Sequence, residues 1–160
     1  MTYQLREMGK DRVTKKIGFI YWHNRRLFTS MVPHLIGPGQ AAFLVHLTQE
    51  TEVRQDALVA KIGVDKAIGT RVIRKLSEAD YIQRRRDPEN HRAYLISLSD
   101  KGVAMKSEIL EVLDSINAKL FENFSKKERK MTHKLLDRMI ANIQQAIPKS
   151  GEEPAEKNPY

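Results

Sequence analysis

No cysteine occurs anywhere in the chain. That excludes disulfides, thiolate metal sites and thiol-based redox sensing. No apolar run approaches the length needed to span a bilayer. The polar N-terminus lacks the apolar centre of a signal peptide. A cytoplasmic protein with no membrane partner is the simplest expectation. There is also no glycine-rich phosphate loop, no nucleophile elbow and no Cys nucleophile. The strands implied by the pattern are too few for the common catalytic α/β folds. The expectation is therefore that the chain is not an enzyme and needs no cofactor. Lone histidines such as His23, His34 and His46 are usually structural, so no metal is expected.

What the chain has is positive charge. It carries 28 Lys+Arg against 20 Asp+Glu, a net +8, and its pI is near 9.7. Such a balance favours polyanions, nucleic acid first. Placement says more than the total. Between Arg71 and Arg86 there are six cations and two anions, whereas Val103 to the end has ten and nine and is close to neutral. The 41% hydrophobic content is enough for a packed core.

Residues 1–10 read as a loose arm. Apolar residues at Val13, Ile17, Ile20, Tyr21, Phe28 and Met31 predict a helix ending near Pro33. After the Gly37-Pro38-Gly39 turn, a second helix is expected over Gln40 to about Gln49, with Phe43, Leu44 and Leu47 inward. Arg54 to Ile62 reads as a third, burying Leu58, Val59 and Ile62, and Gly63 suits the sharp turn that follows. Asp65 is placed to cap a fourth helix reaching about Ala79. Its buried stripe is expected to be Ile68, Val72, Ile73 and Leu76, with Lys66, Ala67, Thr70, Arg71 and Arg74 on the other side. Asp80 falls where a left-handed residue would end the helix.

Tyr81 to Arg86 and Arg92 to Leu98 read as two strands joined by the turn-rich loop from Asp87 to His91. Ser99 or Asp100 would cap a fifth helix with the stripe Ile109, Val112, Leu113, Ile116 and Leu120. Ser125 to Glu128 has capping-box spacing and opens a sixth, with Met131, Leu135, Met139 and Ile143 as its stripe. Pro148 stops it, and 149–160 reads as a disordered tail.

The segments Gln55-Asp-Ala-Leu-Val-Ala, Val64-Asp-Lys-Ala, Thr70-Arg-Val-Ile-Arg-Lys-Leu and Tyr81-Ile-Gln-Arg, followed by Asp87-Pro-Glu-Asn-His-Arg-Ala-Tyr-Leu-Ile-Ser-Leu-Ser-Asp-Lys-Gly102, resemble the MarR family of transcription regulators. Two positions depart from its pattern: Asn90 stands where an Asp is frequent, and Asp80 where Gly is usual. The fold class expected is mainly α (α+β): a winged helix-turn-helix with six helices and a two-stranded wing. The whole of 1–160 would be one MarR-type domain. Within it, 37–102 would form the DNA-binding lobe, and 11–36 and 103–148 the N- and C-terminal dimerisation helices. The resemblance implies a homodimer on a palindromic operator of double-stranded DNA. It further implies repression, less often activation, and release by a small aromatic acid or phenolic effector.

For base edges the candidates are Lys66, Ala67, Thr70 and Arg71, since arginine takes guanine with two bonds and threonine or alanine meets a thymine methyl. The same residues would also suit a solvated helix face. Gln55, Arg74 and Arg84 are candidates for the DNA backbone, with a local ion pair as the alternative for Arg74. Arg86, Asn90 and Arg92 are assigned to the wing and minor groove, where narrow A·T-rich stretches attract arginine. Strand alternation turns Arg85 away from Arg84 and Arg86. Trp22, His23, Arg26, His34 and His46 lie where the family's effector pocket is bordered; core or dimer interface is the alternative for Trp22. Two rival readings stay open. One is a basic architectural protein that coats DNA without reading its sequence. The other is a winged-helix module that binds protein.

Overall fold

The computed structural model describes residues 12–32 and 36–147, which divide at Ala118 into two compact units. The arm at 1–10, the helix stop at Pro33, His34, Pro148 and the tail lie outside the described residues. Among the described residues no helix is long and apolar enough to cross a membrane. The order is α1 (Val13–Met31), α2 (Pro38–Val45), β1 (Val53–Arg54), α3 (Gln55–Ile62), α4 (Lys66–Glu78), β2 (Ile82–Arg86), β3 (Tyr94–Leu98), α5 (Asp100–Leu120) and α6 (Lys126–Ala146).

The sheet has three antiparallel strands, β1-β3-β2, where the sequence predicted two. Val53 pairs with Ile96, and Arg54 with Leu95. A two-residue strand is too short to show alternation, so its pattern carried no signal. It also explains why α2 stops at Val45 instead of Gln49. The chain beyond it must extend to reach the sheet, and Leu98 N donates to Thr48 O at 2.8 Å. Leu47 remains buried outside the helix. The strand pair β2–β3 runs in register from Ile82 opposite Leu98 to Arg86 opposite Tyr94. The central strand β3 buries Ile96, Ser97 and Leu98 in succession, so both of its faces are covered at that end.

One core joins the elements from α1 to α5. Phe28, Phe43, Leu44, Leu58, Ile73, Leu76, Ile96, Leu98 and Ile109 are all buried within it. Local capping fixes where the helices begin and end. Asp65 accepts from Ala67 N at 2.8 Å and from Ile68 N at 3.3 Å, satisfying two amides that α4 leaves without helical partners. Gly63 adopts φ 74° at the sharp turn before it, and Asp80 adopts φ 60° after it. Of the two candidate caps for α5, Ser99 serves: its Oγ accepts from Gly102 N at 3.0 Å and donates to Asp80 O at 2.6 Å. Ser125 and Glu128 form the capping box of α6.

Ile62, expected to be buried, is half-buried, and in α4 one predicted core residue is wrong. Ile68 is 53% exposed. The stripe α4 buries is Gly69, Ile73 and Leu76; at 3.6 residues per turn Ile68 lies about 100° from it, and Val72 falls between, half-buried.

Candidate nucleic-acid interface

The helix α4 turns two faces to different surroundings. Ile73 and Leu76 are buried, while Lys66, Ala67, Thr70, Arg71 and Arg74 are exposed. With Asp65, these five line an open concavity of about 630 Å³. The Asp65 carboxylate there accepts helix amides, so a negative group occupies the positive end of the helix dipole. A second hollow of about 340 Å³ lies between α3 and α4 and includes Gln55, Val59, Lys66 and Thr70. Lys66 and Thr70 thus border both. Arg74 lies 3.6 Å from Glu78, one turn on, in an exposed ion pair.

How closely α4 sits on α3 depends on Gly69. A Cβ at that position would come within 2.6 Å of Val59 Cγ2 and 2.7 Å of Cγ1. A side chain fits there only if Val59 gives way or one helix moves from the other. Sequence reasoning passed over Gly69, because a glycine inside a helical pattern carries no sign of what it faces.

The wing sorts its arginines by strand alternation, as expected. Arg85 turns to one face and is held by Glu52, with Nε donating to Oε1 at 2.6 Å. This contact holds the Glu52 carboxyl below its usual range, the hydrogen bond being the main cause. Arg54 is matched in the same way by Asp56, through two bonds of 3.1 and 2.8 Å, and the Asp56 carboxyl is lowered too. Two cations are therefore neutralised locally. Arg84 and Arg86 lie on the other face over the Tyr94 ring, at 3.3 and 4.4 Å from its centroid. Arg84 Nε donates to Gln55 Oε1 at 2.9 Å, linking the wing to the start of α3. At the tip, Asn90 Oδ1 accepts from Arg92 N at 3.1 Å, and Arg92 is exposed. The buried Asp87 supplies a carboxylate to the loop, accepting from Glu89 N at 3.0 Å.

The residues predicted to border an effector pocket separate. Trp22 and Arg26 share an open groove with Arg25, Thr29 and Ser30. Trp22 is 65% exposed, so it is not a core residue. His23 stacks on Phe19 with centroids 3.8 Å apart, and His46 is the exposed C-cap of α2. A different cleft, of about 310 Å³, lies among α1, α2 and α5. Tyr21, Asn24, Arg25 and Phe28 line one wall, and Ala42, Val45 and Ile116 are among the residues opposite. Spacing from Phe28 would have found that wall, since 21, 24, 25 and 28 share one helix face.

A helix lying against a second helix across a glycine-led turn, with its polar face outward beside a basic hairpin, defines a winged helix-turn-helix, a DNA-binding class of fold. Residues 36–94 match the family model described as MarR family. The chain carries a MarR family domain over residues 36–94, built on a winged helix of DNA-binding class. It is 29% identical over 108 residues to the HTH-type transcriptional regulator YdgJ of Bacillus subtilis, itself described as uncharacterized; the match spans 68% of this chain and 66% of that one. A crystal structure of MarR superposes with TM-score 0.71 at 28% identity, covering 82% of this chain and 97% of the other. A MarR transcriptional regulator from Methanosarcina mazei Go1 gives 0.76 at 26% identity, covering 88% and 94%.

Proposed function

We propose that the chain is a sequence-specific regulator that binds double-stranded DNA as a cytoplasmic homodimer on a palindromic operator, acting as a repressor. The observation that carries this reading is the outward face of α4, where Lys66, Ala67, Thr70 and Arg71 stand clear of the core beside the arginine-bearing wing. A major groove admits a helix of this kind, and those four side chains reach base edges. Exposed Ile68 adds an apolar group suited to a thymine methyl. Gln55, Arg74 and Arg84 hold the backbone, and Arg86, Asn90 and Arg92 follow the wing to the minor groove or its phosphates. Two copies would set two such helices about 34 Å apart. Support for a second copy comes from α1 and α6, which each expose a row of large apolar residues.

The cleft among α1, α2 and α5 supports an effector site for a small aromatic or phenolic acid. Its walls are largely apolar, and Arg25 would take the carboxylate with two bonds. Trp22 and Arg26 border the neighbouring groove, which shares Arg25 with the cleft. His23 and His46 line neither.

Competition binding tests the reading. The full chain should prefer a duplex from its own upstream region over bulk DNA by ~10³ or more. Equal affinity for every duplex would favour an architectural role. Unchanged DNA binding after Arg71→Ala and Arg92→Ala would instead favour a protein-binding module. Salicylate-like acids should weaken the wild-type complex and leave an Arg25→Ala complex unaffected.

A further inference from the structure

Three groups converge where the wing strands enter the tip loop. Tyr94 lies opposite Arg86 in the strand register, and the guanidinium carbons of Arg84 and Arg86 approach its ring centroid to 3.3 and 4.4 Å. Each guanidinium is also held by one hydrogen bond at its edge, Arg84 Nε to Gln55 Oε1 at 2.9 Å and Arg86 Nη1 to His91 O at 2.7 Å. A ring takes up the face of a guanidinium and leaves the in-plane N–H groups available. After one donor on each arginine is used, the others remain for an anion. Two like charges gathered on one ring repel, and a phosphate between or beside them relieves that repulsion. The third arginine of the run, Arg85, takes no part, because Glu52 holds it on the opposite face.

We propose that Arg84 and Arg86 form a preorganised phosphodiester subsite on the DNA-facing side of the wing, with Tyr94 as its positioning residue and Gln55 as its tie to α3. This rests on the DNA-binding reading above and deepens it. Held in place before the encounter, the two guanidiniums lose little side-chain freedom when a strand arrives. Unstacked arginines would have to be ordered at that moment.

The test uses the full chain, a duplex from its own upstream region and an unrelated duplex. Tyr94→Phe keeps the ring and should bind both within about twofold of wild type. Tyr94→Leu keeps apolar volume without the ring. It should weaken both complexes alike, by about 3- to 10-fold. Its log affinity–log salt slope should be shallower by about one, as expected when one phosphate contact is lost. In the free protein, ring-current shifts on the δ-protons of Arg84 and Arg86 should be present in wild type and Tyr94→Phe and absent in Tyr94→Leu. If Tyr94→Leu does not fold, Arg84→Lys with Arg86→Lys carries the test, since lysine keeps the charge and loses the plane. That variant should lose affinity to a similar extent.

A folded Tyr94→Leu, or the double lysine variant, that matches wild type in affinity and salt slope overturns the inference. So does wild-type protein without the ring-current shifts. A wild-type chain that binds no duplex at modest salt removes the DNA-binding reading and this subsite with it. A wild-type chain that binds while the variants equal it removes the subsite alone.

Discussion

The lobe from α2 to β3 and the long helices α1 and α6 follow the same apolar periodicity but meet different ends. In the lobe the pattern is consumed within the chain: Phe43, Leu44, Leu58, Ile73, Leu76, Ile96 and Leu98 are all buried. In α1 only Phe28 is buried, while Val13, Ile17, Ile20 and Trp22 are exposed. In α6 none is buried, and Met131, Leu135, Met139, Ile140 and Ile143 are exposed. A helix stripe records that a surface avoids water and not which molecule covers it. The lobe is a core that one chain completes. The end helices carry a pattern that fits a second copy.

Charging the exposed row of α6 attacks that difference most directly. Met139→Glu with Ile143→Glu should leave the lobe's melting behaviour unchanged, because neither side chain is buried in the single chain. The homodimer should weaken by about a hundredfold or more, the cost of placing charge in an apolar contact. Sedimentation would report it, and an unchanged dimer would remove α6 from the interface.

Inside the lobe the sensitive point is steric. Gly69→Ala should destabilise by ~1–3 kcal/mol, the usual range for overpacking, and should lower DNA affinity because α4 is pushed off α3. Adding Val59→Ala removes the two methyl carbons in the way and should restore most of both losses. A double variant no better than Gly69→Ala would show that the clash is not the cause. Denaturant melts and binding titrations on the same samples decide it.

Surface arginines should divide by role. Arg71→Ala should cost ~1–3 kcal/mol on the chain's own operator and relax base preference there. Arg86→Ala should weaken all duplexes about equally. Identical profiles for the two would merge the helix and wing roles assigned above.

The smallest effect concerns Glu52. Its folded-state pKa is lowered by Arg85, so the stabilisation from their contact is present at neutral pH and fades as pH falls through the depressed value. In an NMR titration the Glu52 carboxyl should protonate at lower pH than in an Arg85→Ala variant. Because the pair is exposed, the effect on global stability should be slight.

Much of this is legible in the sequence. Asp65, Gly63, Asp80 and the Ser125–Glu128 box act through neighbours one to four residues away, so local spacing announced them. Arg85 turning away from Arg84 and Arg86 followed from strand geometry alone. Other features depend on neighbours distant in sequence. Gln55 reaches Arg84 and Glu52 reaches Arg85 across about thirty residues, and Val53 pairs with Ile96. No periodicity encodes such partners, and β1 was missed for that reason. Ile68 was misplaced because four apolar residues in one helix do not say where the centre of the buried arc falls.

By itself the sequence determined the helices and their caps, the basic hairpin and the class of partner it suits, because each follows from short-range backbone geometry and charge. Only the tertiary structure decided how near α4 stands to α3, which arginines are neutralised and which gather on Tyr94. Those outcomes depend on excluded volume and hydrogen bonds between segments far apart in the chain, and they exist only once the core has brought the segments together.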